Sequence, residues 1–487
     1  MTSRVIRLIL STILLVFSQL GLAQNPTQDS IHRVLTSIKE DSIKVNILNR
    51  MSENFLGSGD TANALKTAND ALLLAQRVHF KNGISKSYAN IGYIYANQGR
   101  FTEALKIFEI VNDKESMGGC YIGIGGNLVS EKKYEEGLKY YQKALKLFET
   151  LKYSTGLALC YSNIGDVYFI QLNYNEALSN YSKALRINNE IQDQPEIADV
   201  SEKIAITYER QGNITEGISN HLAALKIFEA LKDEMNAATS YHELGNDDAM
   251  LGNFAEALLN QNNALLLSKD IRDSVGQIKS ISGIAFIYER QGNTTEALKY
   301  YSQALSLHPE LTAVKEAAFI YQRLGLLHES EKNYQAALQE QETALKLYRT
   351  VEDEKGIGDV YNNKGCIFLD EQKYSEAISS FDVAIKTFTA IKFKQGMGSA
   401  QSNMGRAYMH QGFFQQALDN YLPALKLFEE IGDKWNMATA YGNIGFAYKR
   451  LKNLELANAY FTKGLGLANE IKASGVSDLI KRQMDAP

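Results

Sequence analysis

A pattern that returns every 40 residues constrains this 487-residue chain more than any other feature of its sequence. Aligned on the residue that precedes each "xEAL"-like segment, the register points are Thr61, Phe101, Tyr134, Tyr174, Ile214, Phe254, Thr294, Tyr334, Tyr374, Phe414 and Leu454. Every interval is 40 residues except one of 33, between Phe101 and Tyr134. Nine residues before each point the side chain is small: Ser52, Gly92, Gly125, Gly165, Ala205, Gly245, Ala285, Gly325, Gly365, Gly405 and Gly445. Three residues after it stands Ala, or Gly at Gly137 and Gly217. Ten after it Ala recurs, as at Ala144, Ala184, Ala264, Ala344 and Ala384. Small residues let two helices approach closely, and large residues at helical spacing fill the space beside them. Around Tyr174, for example, Tyr161, Ile164 and Tyr168 fall on one helical face, with Gly165 as the contact point. A turn, Gln171 to Tyr174, ends the first helix, and Ala177, Tyr181 and Ala184 line the second. Such a unit cannot bury its apolar face alone and must stack on its neighbours. The expected fold is therefore all-α, built from about eleven helical hairpins.

These residues resemble the tetratricopeptide repeat. Its pattern of an aromatic, a Leu-Gly pair and a Tyr is read here as Tyr161, Ile164-Gly165 and Tyr168, followed by Ala177, Tyr181 and Ala184. Tyr replaces the usual Trp. The closing Pro is absent except at Pro309, and the unit is 40 residues long where the common form has about 34. This longer form resembles the repeats of the kinesin light chain and of LGN-type spindle-orientation adaptors. The resemblance covers about residues 45–475 and implies a right-handed superhelical α-solenoid with its first helices on the concave face.

Flanking segments complete the expected organisation. Arg4 and Arg7, the apolar run Leu8 to Phe17 and the small residues before Gln24 describe a secretory signal peptide over 1–23, cleaved after Ala23. The run is shorter than the roughly 20 residues a membrane-spanning helix needs, and no later segment is long and apolar enough. The expected mature chain is exported, periplasmic or secreted, with no membrane span. In 24–44, Ile31, Leu35 and Ile38 share a helical face and suggest a capping helix. Residues 476–487 read as a partial repeat or cap. Without Arg4 and Arg7 the net charge moves from -5 to -7, which argues against a nucleic-acid partner. Cys120, Cys160 and Cys366 read as buried thiols: equivalent helices are about 10 Å apart, too far for a disulfide.

Three irregularities stand out. In the short interval a heptad of the second helix is lost, and Gly118, Gly119, Gly123, Gly125 and Gly126 follow. A hinge near 112–126 and a merely tolerated deletion are the two readings. Pro423, inside a second helix, is expected to kink or break it. Repeat six carries His242, Glu243, Asp247, Asp248 and Gln261, and a weaker, more solvated repeat is expected there in preference to a metal site.

Candidate functional residues follow from the register. No Ser, Cys or His sits in a recognisable catalytic or metal-binding motif, so neither an enzyme nor a cofactor or metal is expected. His221 occupies a second-helix core position and reads as structural. Eleven residues before the register points stand Asn90, Asn163, Asn363, Asn403 and Asn443, each in an Asn-x-Gly setting. In the resembling repeats an Asn here holds the backbone of an extended peptide, and one amide can offer both donor and acceptor. The alternative is that these Asn serve local backbone or face water. Repeats five to eight break the ladder with Lys203, Glu243, Gly283 and Arg323. A second polar set, Arg210, Arg290, Arg406 and Arg450, with His410 in the same stripe, could read an acidic group or favour helix C-termini. The expected partner is a protein or peptide ligand, and an exposed terminal repeat also allows self-pairing. The chain also resembles the sensor halves of Bacteroidetes-type histidine kinases, cyclases and LuxR-like regulators, which continue into an output domain. A sensor module is the alternative to a scaffold.

Overall fold

The computed structural model describes residues 41–307 and 313–486. The expected signal peptide, the segment 24–40 of the capping helix, His32, His308 and Pro309 lie outside the described residues. The chain divides into two compact units, Met1–Gln171 and Leu172–Pro487.

In the first unit the helices are α1 (Ser42–Gly57), α2 (Thr61–Arg77), α3 (Lys81–Asn97), α4 (Phe101–Val111), α5 (Lys114–Ser130), α6 (Tyr134–Leu151) and α7 (Ser154–Ile170). The second unit holds α8 (Tyr174–Ile191), α9 (Gln194–Arg210), α10 (Ile214–Leu231), α11 (Glu234–Leu251), α12 (Phe254–Asp270), α13 (Ser274–Arg290), α14 (Thr294–Ser306) and α15 (Val314–Ser330). It continues with α16 (Tyr334–Thr350), α17 (Glu354–Asp370), α18 (Tyr374–Ala390), α19 (Lys394–His410), α20 (Phe414–Ile431), α21 (Lys434–Arg450), α22 (Leu454–Glu470) and α23 (Ser474–Asp485). The described residues are thus an all-α solenoid of first and second helices in alternation. Each register point found in the sequence is the first residue of a second helix.

The start signals are local. Asp41, Asp113, Asp233, Asp273, Asp353 and Asp433 cap first helices by accepting from backbone N–H groups. Asp60, Asn293, Asn333 and Asn453 do the same for second helices. Each such cap is worth about 1 kcal/mol.

Packing then follows the small-residue register. Gly92, Gly125, Gly365, Gly405 and Gly445 seat the rings of Phe108, Tyr141, Phe381, Tyr421 and Phe461, so closely that a Cβ would fall 2.4–2.7 Å from the ring. Those rings are almost wholly buried, and each contributes about 1.5–3 kcal/mol.

The irregularities resolve individually. The short interval truncates α4 to 11 residues, against 17 or 18 in most second helices. Three of the five glycines that follow are packing seats: Gly118 lies on Phe148, Gly123 on Phe101 and Gly125 on Tyr141, while Gly119 meets nothing within 4 Å. Pro423 does not break its helix, contrary to expectation; α20 runs through it for 18 residues. Pro423 points away from the core, while Ala417, Leu418, Tyr421, Ala424, Leu425 and Phe428 anchor the helix on both sides. Cys120 and Cys160 are buried free thiols, whereas Cys366 is only half-buried. Burial pushes the Cys120 thiol up to about 11 and those of Cys160 and Cys366 to about 12, so all three stay protonated and unreactive at neutral pH.

Candidate functional site: a polar groove on the first helices

The Asn ladder performs a task that the spacing alone did not disclose. Asn90 is buried and donates from Nδ2 to the Asn49 carbonyl at 3.0 Å. Asn403 donates from Nδ2 to Asn362 Oδ1, also at 3.0 Å. Both bonds span 41 residues, from one first helix back to the preceding one. Asn443 accepts at Oδ1 from Gln483 of α23, at 2.9 Å. These amides tie successive first helices together. Asn163 and Asn363 are half-buried on α7 and α17.

The Arg set is exposed and has its own internal logic. Arg450 lies over the ring of Phe414, 5.2 Å from its centroid, and His410 stacks on Tyr374. In both cases the partner is the ring that opens the preceding second helix. Arg290 donates to the Met250 carbonyl at 3.4 Å, and Arg406 to Asn403 Oδ1 at 3.3 Å.

A groove of about 500 Å³ opens within the second unit, where the ladder is broken. Its walls come from the first helices α11, α13, α15 and α17, with Arg210 at one end. Glu243 and Gly283, two of the residues that replace Asn in the ladder, line it. Phe286 and the exposed Phe319 supply apolar surface. The lining charges alternate and cross between helices: Lys279 pairs with Glu316 at 3.7 Å and Lys315 with Asp353 at 2.8 Å. Arg323 forms a fork on Glu289, which also accepts from the buried Tyr301 hydroxyl at 3.0 Å.

Beneath and beside this groove the core is polar. Seven residues into the second helix the other repeats mostly carry an aromatic ring. Here His221, Gln261 and Gln341 take its place, all fully buried. Gln261 donates to the His242 carbonyl at 2.9 Å and to Asn246 Oδ1 at 3.0 Å. Gln341 donates to the Gln322 carbonyl at 3.0 Å, and its Oε1 has no partner among the described residues. Asp247 and Asp248 are 5% and 9% exposed, so repeat six is not the solvated unit expected from its composition. Asp248 is held there by hydrogen bonds from Asn253 and Asn260, whereas Asp247 Oδ2 has no partner among the described residues.

His221 is enclosed by carboxylates. Nδ1 lies 2.6 Å from Glu202 Oε2 and Nε2 2.5 Å from Glu209 Oε1. Burial alone would lower its pKa, but the hydrogen bonds to Glu202 and Glu209 outweigh it and push it up to about 10. Burial, reinforced by Glu209, pushes Asp247 up to about 7. From sequence His221 reads only as structural and Gln341 is not singled out; the loss of the aromatic at positions 221, 261 and 341 is the signal that could have found this polar core.

Among the described residues no helix is long and apolar enough to cross a membrane. Family models described as tetratricopeptide repeat match residues 120–190, 196–270, 237–310, 275–350 and 396–470, with further matches at 85–109 and 358–387. No curated protein matches the sequence. Among solved structures, the apo form of RapI is similar at 12% identity and a TM-score of 0.56, over 72% of this chain and 98% of that one. The apo form of the quorum sensor NprR from B. thuringiensis is 16% identical with a TM-score of 0.48, over 74% and 99%. A signal-transduction ATPase with a tetratricopeptide repeat sensor, from Pyrococcus horikoshii, is 15% identical with a TM-score of 0.47, over 77% and 57%. The likeness to RapI is one of fold.

Proposed function

Because the chain belongs to the tetratricopeptide repeat family, whose solenoid fold is typical of protein–protein interaction, we propose that it is a non-catalytic scaffold for an extended peptide or protein segment. The observation that carries this reading is the groove across α11, α13, α15 and α17. It is elongated by construction, since four successive first helices build it. It offers Phe286 and Phe319 to an apolar side chain and both signs of charge to a polar one. Asn363 continues the register of Glu243 and Gly283 and serves as a backbone contact at the α17 end. The expected ligand is therefore a segment of mixed charge with an apolar anchor, bound without a cofactor.

The test is affinity capture from cell-envelope extract with residues 24–487, beside a double variant, Phe319→Ala with Lys355→Ala, and a triple variant, Asn363→Ala, Asn403→Ala and Asn443→Ala. A partner held by the wild type and lost by the groove variant supports the reading. Equal retention by the groove variant removes it. Loss by the triple variant alone would move the contact to the ladder. The reading includes export, supported by Arg4, Arg7 and the apolar run that follows. N-terminal sequencing of the protein from fractionated cells is expected to start at Gln24, and an intact Met1 in the cytoplasmic fraction would refute it.

A further inference from the structure

The geometry points to a divalent-cation site of the zinc class, held by Glu209, His221 and Asp247, that ties repeats five and six together. The three residues come from α9, α10 and α11. One ligand atom from each, a carboxylate oxygen or an imidazole nitrogen, lies within 4.8 Å of the other two. This is the donor set zinc accepts, at about 2.0–2.2 Å per bond.

Three further observations single this cluster out. Asp247 is 5% exposed, and its Oδ2 has no hydrogen-bond partner among the described residues. The charges that act on it are Glu209, His221, Glu243 and Asp248, of which His221 alone can be positive. A buried anion so placed is unfavourable unless a cation offsets it. His221 is braced from behind, with Nδ1 on Glu202 Oε2 at 2.6 Å, and Glu202 is itself held by the Ser240 hydroxyl. A carboxylate behind an imidazole fixes its tautomer and aims the other nitrogen at a metal. Finally, Gly217 stands where most repeats carry Ala. A Cβ there would lie 3.1 Å from Glu209 Cγ and 3.6 Å from Asp247 Oδ2, so the glycine keeps open the space beside both ligands.

Tetrahedral coordination at such bond lengths sets ligand atoms about 3.3 Å apart. The 2.5 Å contact between His221 Nε2 and Glu209 Oε1 would open by a little under an ångström, and the bound ion would occupy the gap. His221 releases its Nε2 proton to water on binding and keeps Nδ1–H donated to Glu202. A water fills the fourth position. The site is independent of the groove reading, and its failure would leave that reading intact.

The experiment uses the full chain stripped with a chelator. Zinc is titrated calorimetrically, and cobalt(II) is added as a probe whose visible absorption reports a tetrahedral site. One zinc per chain is expected, with a rise in melting temperature. Asp247→Asn, which removes a ligand, is expected to weaken zinc binding by more than the roughly 10–100-fold that loss of a partner behind a ligand costs, and to abolish the cobalt bands. His221→Tyr restores the ring that other repeats carry and is expected to do the same while preserving helicity by circular dichroism. Gly217→Ala leaves every ligand in place and is expected to weaken binding by crowding the site. The inference is overturned if the wild type takes up no zinc, or if Gly217→Ala and Asp247→Asn both bind it as the wild type does.

Discussion

Gly365 and Gly119 are both glycines within first helices, yet they face different surroundings. A Cβ on Gly365 would lie 2.4 Å from the ring of Phe381, whereas nothing lies within 4 Å of one on Gly119. Gly365→Ala is expected to cost about 1–3 kcal/mol through overpacking. Gly119→Ala should gain about 0.5–1 kcal/mol from helix propensity and a less free unfolded chain. Urea unfolding of the two variants would show shifts of opposite sign. Glu329 gives a second prediction at this scale. Burial, reinforced by Asp370 and opposed by Arg406, pushes its carboxyl up to about 7. The unfolded chain therefore ionises Glu329 at lower pH than the folded one, and the penalty to folding develops between about pH 4.5 and 7. Glu329→Gln should raise the melting temperature at pH 8 and leave it unchanged at pH 4, and an equal shift at both would refute the assignment. Residues such as Gly365 were legible because a packing seat repeats with the period. Asn90 and Asn403 were not, because spacing places an amide on a face without saying which neighbouring helix it bonds. His221 was legible as a core residue and Gln261 as a departure of repeat six, but Gln341 went unread, and only the fold shows the surroundings of all three.

At the scale of the element, helix boundaries followed directly from the period, since register points and second-helix starts coincide. α20 shows where a local rule yields. Pro423 supplies no N–H to the Asp419 carbonyl, yet the helix persists because Tyr421 and Ala424 beside it, and Phe428 a turn later, are buried. Tertiary packing has outweighed a cost of about 3 kcal/mol. Pro423→Ala is therefore expected to stabilise the chain by up to about 3 kcal/mol, read as a higher urea midpoint with unchanged helix content. No gain would mean that the freed carbonyl is already satisfied by solvent. α4 makes the complementary point. Shortened to 11 residues, it still buries Ala104 and Phe108, because the lost heptad is about two turns and the helical face survives.

In a repeat array of this kind, stability accumulates from contacts between neighbouring repeats and has no single centre. Each compact unit repeats the same solution, with the polar groove and the carboxylate-bound His221 both in the second. The period announced the repetition, while the departures from it mark where the groove and the His221 cluster lie. The turns between first and second helices carry one further consequence. Two residues before every register point the backbone takes the left-handed conformation. Gly59, Gly99, Gly212, Gly252, Gly292 and Gly412 fill that position in six cases, and Lys132, Leu172, Lys332, Gln372 and Lys452 in the others, at φ of 61–63°. A side chain there costs about 1 kcal/mol, so Lys332→Gly should raise the melting temperature, with the same change at the other four adding nearly independently. Heat tolerance in this chain can thus be adjusted in small graded steps at its corners, without touching a helix or a residue that lines the groove.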